Sequence, residues 1–308
     1  MGTIVAVCTS ERKGERKKDA GAGLLIKGMG LAGDAHAGFG HRQLSLLAEA
    51  SIQTMREKGL RVGPGDFAEN LTVAGMRLYD LPVGTRLRVG EAAVLRVTQI
   101  GKECHHHCAI YQQAGDCVMP REGIFTEVLA EGPVRSGDAI RLAPSYRFGV
   151  ITASDKGSRG EREDASGPLI KEFLLPWGDA ADCRIIPDDR NRLAAALREM
   201  ADGQGLDLIV TSGGTGLGPR DVTPEATLDV VERLVPGIPE AMRAAGLAKT
   251  AKAMLSRGVA GIRGRTLIIN LPGSPRAVSE NLESLAPVLE HALEILSGRA
   301  GECGATIP

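Results

Sequence analysis

The chain has 308 residues, 43% of them hydrophobic, which is long enough for two separate cores. Aromatic residues make up only 3% and the formal net charge is -1. These values exclude stacking platforms for single-stranded nucleic acid and a general attraction to nucleic acid or anionic membrane.

The opening "MGTIVAVCTSERKGERKKDAG" places its charge after a short apolar run, the reverse of a secretory signal. No apolar stretch approaches the roughly 20 residues of a membrane span. Up to about Leu142 the chain reads as short strands, "TIVAV", "GLLIKG", "RQLSLLA", "TRLRVG", "AAVLRVTQI" and "DAIRLA", separated by Gly, Pro and Asp turns. One helix, "LAEASIQTMREKG", interrupts them and stops at a glycine. Many short strands predict a small, mostly β barrel or sandwich. The run "ERKGERKK" reads as a solvated loop or as a contact for a phosphate.

Between Ile100 and Cys117 stands "IGKECHHHCAIYQQAGDC", with three of the six cysteines and three of the six histidines. Three readings are open. Cys104 and Cys108, with a histidine or Cys117, have a spacing that zinc tolerates. Alternatively, thiolate Cys104 is a soft ligand for a metal or a nucleophile for sulfur chemistry. The third reading is a polar loop without a ligand. Upstream, "GDAHAGFGHR" offers Asp34, His36, His41 and Arg42 as further lining. The scattered cysteines, Cys8 and Cys183 among them, argue against a secreted disulfide scaffold and for a reducing cytoplasm.

After "APSYR" the grammar changes to alternating strand and helix. The strands are "YRFGVITAS", "LDLIVTSGG" and "GRTLIINLPG". The helices are "DASGPLIKEFLL", "NRLAAALREMA", "TPEATLDVVERLV" and "SPRAVSENLESLAPVLEHALEIL". The boundary falls near Ala143, giving domains 1–143 and 144–308. The tail "GRAGECGATIP" reads as a frayed end.

Two strand ends in the second half suit phosphate. "TSGGTG" follows an apolar strand, and its glycines expose amide N–H groups. It leads to a helix for which Thr223 is the expected N-cap, with Pro224 at the first helical position. "LPGSPRAV" repeats the device, with Ser274 as cap, Pro275 at the first position and Gly273 allowing close approach. Ligands collect at strand carboxyl ends and anions at helix N-termini. Asp188, Asp189 and Asp221 stand beside these turns as candidate carboxylates for magnesium.

Taken in order, "SDKGSRGEREDASGP", "IIPDD", "SGGTGLGPRDVTPEAT", "PGIPEAMR", "LSRGVAGIRG" and "LIINLPGSPRA" resemble the MogA/gephyrin G-domain family of molybdopterin adenylyltransferases. The resemblance implies a three-layer α/β domain with a mostly parallel sheet, often trimeric. It implies that Mg-ATP and molybdopterin react to give adenylylated molybdopterin and pyrophosphate. It places the catalytic, magnesium-holding aspartates on Asp188 and Asp221. The binding turns fall on Gly213, Gly214, Thr215 and Gly216, and on Asn270, Pro272, Gly273 and Ser274. A molybdenum-insertion enzyme is the implied partner.

In the first half, "GMGLAGDAHAGFGHRQLSLL", "GPGDFAENLTVAGM" and "LPVGTRLRVGEAAVLRVTQIGKEC" resemble a MOSC domain. That resemblance implies a β-barrel-like fold and puts the family's cysteine on Cys104, serving sulfur transfer or molybdenum. It favours the thiolate reading of "CHHHC", with Cys108 and His36 as further candidate ligands for molybdenum (or tungsten) or zinc. The combined expectation is a cytoplasmic MOSC–MogA fusion of molybdenum-cofactor synthesis. The alternative is a non-catalytic carrier of cofactor or molybdate.

Overall fold

The computed structural model describes residues 1–103 and 109–299. The chain divides into two units, Met1–Ser145 and Tyr146–Pro308.

In the first unit the strands follow one another around a closed ring. Their order is Ala139–Leu142, Arg86–Val89, Ala93–Ile100, Ile124–Ala130, Leu44–Ala48, Leu71–Ala74 and Gly2–Thr9. Gly2–Thr9 pairs again with Ala139–Leu142, through Gly2 opposite Ile140 and Thr3 opposite Ala139, which closes the barrel. Alternate side chains point inward. Ile4, Leu46, Val73, Leu87, Leu95, Val128 and Ile140 meet there in one buried cluster. A second cluster lies outside the ring. The helix Glu49–Glu57 buries Ile52 and Met55 against Leu47, Phe125 and Met119. The single expected helix is thus joined by two more, Ala109–Ala114 and Met119–Glu122. Both are too short to show a helical period in the sequence.

The second unit is built on a six-stranded sheet. Gly178–Ile186, Tyr146–Ala153, Leu208–Ser212 and Thr266–Leu271 run parallel as neighbours in that order. Ala260–Arg263 and Arg233–Leu234 add an antiparallel edge. Val150, Val210 and Ile269 share one register line and belong to one core cluster. Ile151, Ile209 and Ile268 belong to another. Alternation along buried strands thus feeds a core on each face of the sheet. The long helix Pro275–Leu296 buries Val278, Leu282, Leu285, Leu289 and Leu293, spaced at three or four residues. Its Pro287 is exposed, so the lost N–H lies away from that stripe. The helix Gly237–Leu247 was not among those expected, because its first turn reads "GIPE".

Candidate active site

Because four strands run parallel, their carboxyl ends lie along one edge of the sheet. Four loops leave from there: Ser154–Asp155, Pro187–Asp189, Gly213–Asp221 and Pro272–Ser274. Every expected turn residue except Asn270 falls on this edge as a cleft wall.

Two clefts meet at it. One, of about 530 Å³, is walled by Gly214, Thr215, Gly216 and Asp221 on one side and by Pro272, Gly273 and Ser274 on the other. Arg243 and Lys252 line it as cations, and Asp221 and Glu280 as carboxylates. The other, of about 540 Å³, is walled by Asp188, Gly213, Gly214 and Asp221 together with Asp164 and Ser166. Gly214, Asp221, Gly273 and Ser274 belong to both walls.

The glycine turn needs its glycines. Gly213 and Gly214 take φ of 93° and 63°. A side chain on Gly214 would overlap Thr223 Oγ1 and begin 3.1 Å from Asp188 Oδ1. Gly273 approaches as closely: a Cβ there would stand 3.2 Å from Gly213 Cα. The second turn is capped as expected, with Ala277 N–H donating to Ser274 Oγ at 3.3 Å. The first is not. The helix Thr223–Leu228 starts after Val222, and Thr223 is already helical. Its N–H donates to the Gly214 carbonyl at 3.1 Å, and its buried hydroxyl has no hydrogen-bond partner. The tie to the glycine turn turns that hydroxyl beneath Gly214 instead of back over the helix end.

Asp188 and Asp155 bind each other reciprocally. Asp155 N–H donates to Asp188 Oδ2 at 3.0 Å, and Asp188 N–H to Asp155 Oδ1 at 3.1 Å. Arg220 forks onto both oxygens of Asp155, at 2.8 and 3.1 Å. Burial pushes the Asp188 carboxyl above its ordinary range; the Asp155 N–H opposes this, and the charges of Asp155 and Asp221 add to it. Asp221 accepts from Gly218 N–H at 2.7 Å through Oδ2. Asp188 and Asp221 therefore keep Oδ1 clear of the bonds just named. Asp189, by contrast, is a cap: it accepts from Arg192 N–H at 2.9 Å.

Asn270 lies under the site. It is buried, its amide donates to Thr211 Oγ1 at 3.0 Å and Thr227 Oγ1 at 2.9 Å, and its Oδ1 accepts from Val259 N–H at 3.2 Å. Sequence reasoning missed Asp155, Asp164, Arg220 and Arg257 as contributors. Asp164 accepts from the N–H groups of Ser166 and Gly167 and from Thr152 Oγ1 at 2.9 Å. An Asp two residues before a helix was the available signal.

Among the described residues no group of three or more His, Cys, Asp or Glu could hold a metal. An all-protein metal cage is therefore not present there, but two carboxylates with a substrate phosphate suit magnesium. Asp188 and Asp221 fit that sharing: both wall one cleft, and the Asp221 charge pushes Asp188 up.

In the first unit, a cavity of about 240 Å³ is lined by Lys13, His36, Arg42 and Lys102, with Phe39 and Phe125. None of its described lining is acidic. Lys13 sits over the Phe39 ring at 4.8 Å and Arg42 over Phe125 at 5.3 Å. The basic run is not simply solvated. Lys17 is buried and paired with buried Asp34, and its Nζ stands 3.3 Å from His36 Nδ1. Burial pushes Asp34 up, but hydrogen bonds from His36 and Lys17 outweigh it and hold the carboxyl well below its ordinary range. His41 instead contacts Gln99 at 3.1 Å. Cys104 and Cys108 lie outside the described residues.

Two clefts thus share a glycine turn and a carboxylate at the carboxyl edge of the sheet. The family profile described as "Probable molybdopterin binding domain" matches residues 149–291, and the MOSC domain profile matches 33–141. The molybdopterin adenylyltransferase of Helicobacter pylori strain J99 is 41% identical over 157 residues, which are 50% of this chain and 89% of that protein. The Escherichia coli K12 enzyme of the same name is 40% identical over 46% of this chain and 74% of its own. A solved structure of the molybdopterin biosynthesis enzyme MoaB from Thermus thermophilus is 53% identical and covers 50% of this chain and 97% of its own, with a TM-score of 0.48. The chain belongs to the molybdopterin adenylyltransferase family, with a MOSC domain ahead of the family's domain.

Proposed function

We propose that the second unit adenylylates molybdopterin with ATP. An oxygen of the molybdopterin phosphate attacks the α-phosphorus of ATP, the bond from that phosphorus to the β-bridging oxygen breaks, and pyrophosphate leaves. The observation that carries this reading is the pair of clefts meeting at Gly214, Asp221, Gly273 and Ser274. Two substrates lying one in each cleft meet at that shared wall. Both are anions, so the barrier is mainly repulsion and alignment, and the chain answers with backbone amides at two glycine turns and with Arg243 and Lys252. No protein nucleophile is required. Magnesium, held by Asp188 and Asp221, would neutralise charge on the transferring phosphoryl group.

The barrel is read as the partner module, binding or modifying a molybdenum, pterin or sulfur species. Its basic cavity supports an anionic ligand. Cys104, with Cys108 and His36 as further candidate ligands, is assigned to the metal or sulfur step on resemblance to the MOSC family. The resemblance to the MogA/gephyrin family supports three layers and a trimeric assembly for the second unit and delivery of its product to a molybdenum-insertion enzyme, and the scattered cysteines support a cytoplasmic protein.

The test is turnover. The purified chain, given molybdopterin, magnesium and ATP, should release pyrophosphate. Asp188→Asn and Asp221→Asn should each lower that rate about a hundredfold while leaving the fold intact. Rates near that of the unaltered chain in both variants would remove the assigned roles.

A further inference from the structure

The stretch Leu217–Arg220 is exposed, so no apolar packing fixes the approach to Asp221. Polar ties must do so, and several converge on one residue. Arg257 lies in the loop between the short 3-10 turn Ala251–Leu255 and the strand Ala260–Arg263. Its Nε donates to the Gly216 carbonyl at 2.6 Å. One terminal nitrogen donates to the Asp221 carbonyl and the other pairs with Glu225 Oε1. Its backbone N–H donates to the Thr215 carbonyl at 2.9 Å. One residue therefore grips the glycine turn, the backbone of Asp221 and the first turn of the following helix.

The loop that carries Arg257 is held in turn. Arg243 donates to the carbonyls of Ser256 at 3.4 Å and Gly258 at 3.2 Å. Arg243, Ser256 and Gly258 all line the first cleft, whereas Arg257 lines neither cleft. Only a planar guanidinium offers donors in three directions from one rigid group; an ammonium is a single point. Glu225 Oε2 is buried without a partner, so loss of Arg257 also leaves that carboxylate without its counter-ion.

We propose that Arg257 is a positioning residue for adenylyl transfer: it fixes the backbone on both sides of Asp221, so that the carboxylate faces the junction of the clefts. The proposal rests on the adenylyltransferase reading above. It predicts a defect in the chemical step, with binding little changed, because Arg257 touches neither substrate.

The experiment uses the full chain and the variants Arg257→Ala and Arg257→Lys. Pyrophosphate release gives kcat and KM, thermal melting gives the folded state, and amide hydrogen exchange reports on residues 214–221. Misplacing a reacting group by about 1 Å costs about a hundredfold, so both variants should lose about that much kcat, with KM for both substrates near the original. Guanidinium ion at millimolar concentration should restore part of the rate to Arg257→Ala and none to Asp221→Asn. Exchange across 214–221 should quicken in both variants with the melting temperature of Arg257→Lys kept. A fully active Arg257→Lys overturns the proposal, as does an Arg257→Ala loss that tracks a lower melting temperature and resists rescue. If the unaltered chain releases no pyrophosphate, the adenylyltransferase reading falls instead. Exchange then still decides: unchanged protection of 214–221 in both variants sinks the positioning role, and quickened exchange in both sustains it.

Discussion

Asp188 shows what a half-buried carboxylate costs its fold. Its carboxyl is pushed above the ordinary value of 3.8, first by burial, then by the charges of Asp155 and Asp221. Between 3.8 and that raised value the folded state holds more protons than the unfolded one, so stability falls as pH rises through the window. Above the window the loss is complete; below 3.8 it is absent. Asp188→Asn, whose amide oxygen can still accept from Asp155 N–H, should therefore melt higher than the unaltered chain near neutral pH in chelator. The difference should vanish in acid below the ordinary aspartate range, and an equal difference at both pH values would contradict the argument. Ala68 raises a similar question in the barrel. Among the described residues it alone, apart from glycine, has positive φ, at 63°, and it lines the basic cavity. A left-handed alanine costs about 1–2 kcal/mol, partly offset by the freedom a glycine would lose. Ala68→Gly should leave stability unchanged or raise it by up to about 1 kcal/mol, read by denaturant unfolding. Single residues differ in how far the sequence discloses them. Gly213 and Gly214 were legible because only glycine readily tolerates their φ. Arg257 was not, because its acceptors on Gly216, Asp221 and Glu225 lie 41, 36 and 32 residues away.

At the scale of elements, legibility followed length and period. The helix Pro275–Leu296 carries its stripe, its cap at Ser274 and its proline openly, and it was read nearly to its ends. The strands Arg233–Leu234 and Ala260–Arg263 are too short for a period, and the antiparallel edge they form was not read. Thr223 was misread as a cap because the sequence does not show that the helix already begins at Thr223, with its hydroxyl beneath Gly214. The bond from Thr223 N–H to the Gly214 carbonyl makes the glycine turn and the helix Thr223–Leu228 one unit. A side chain at position 214 meets Thr223 Oγ1 and Asp188 Oδ1. Gly214→Val should therefore abolish ligand binding in the second unit, and also disfavour the 63° φ that valine does not adopt. Calorimetric titration with molybdopterin checks it. Unchanged affinity in a folded variant would show that the turn only connects a strand to a helix.

For the whole molecule, the question is what two self-contained units gain from one chain. Each unit has its own core: the barrel closes on Ile4, Leu46, Leu95 and Ile140, and the sheet of the second unit on Val150, Val210, Ile269 and Leu285. Among the described residues, the walls of both clefts come from residues 152–281. Residues 146–308 expressed alone should therefore fold and keep the kcat of the full chain, within about twofold, as independent sites do. The fusion then acts through concentration. A covalent link holds a second binding module at an effective concentration of about millimolar, provided that the sites can be reached together. If the barrel takes or supplies the pterin, the full chain at limiting molybdopterin should outpace an equimolar mixture of separate units. At saturating molybdopterin the two should be equal, because the chemical step is the same. Equal rates at every concentration would mean that no ligand passes between the units, and the barrel would then act on a species the second unit neither makes nor uses.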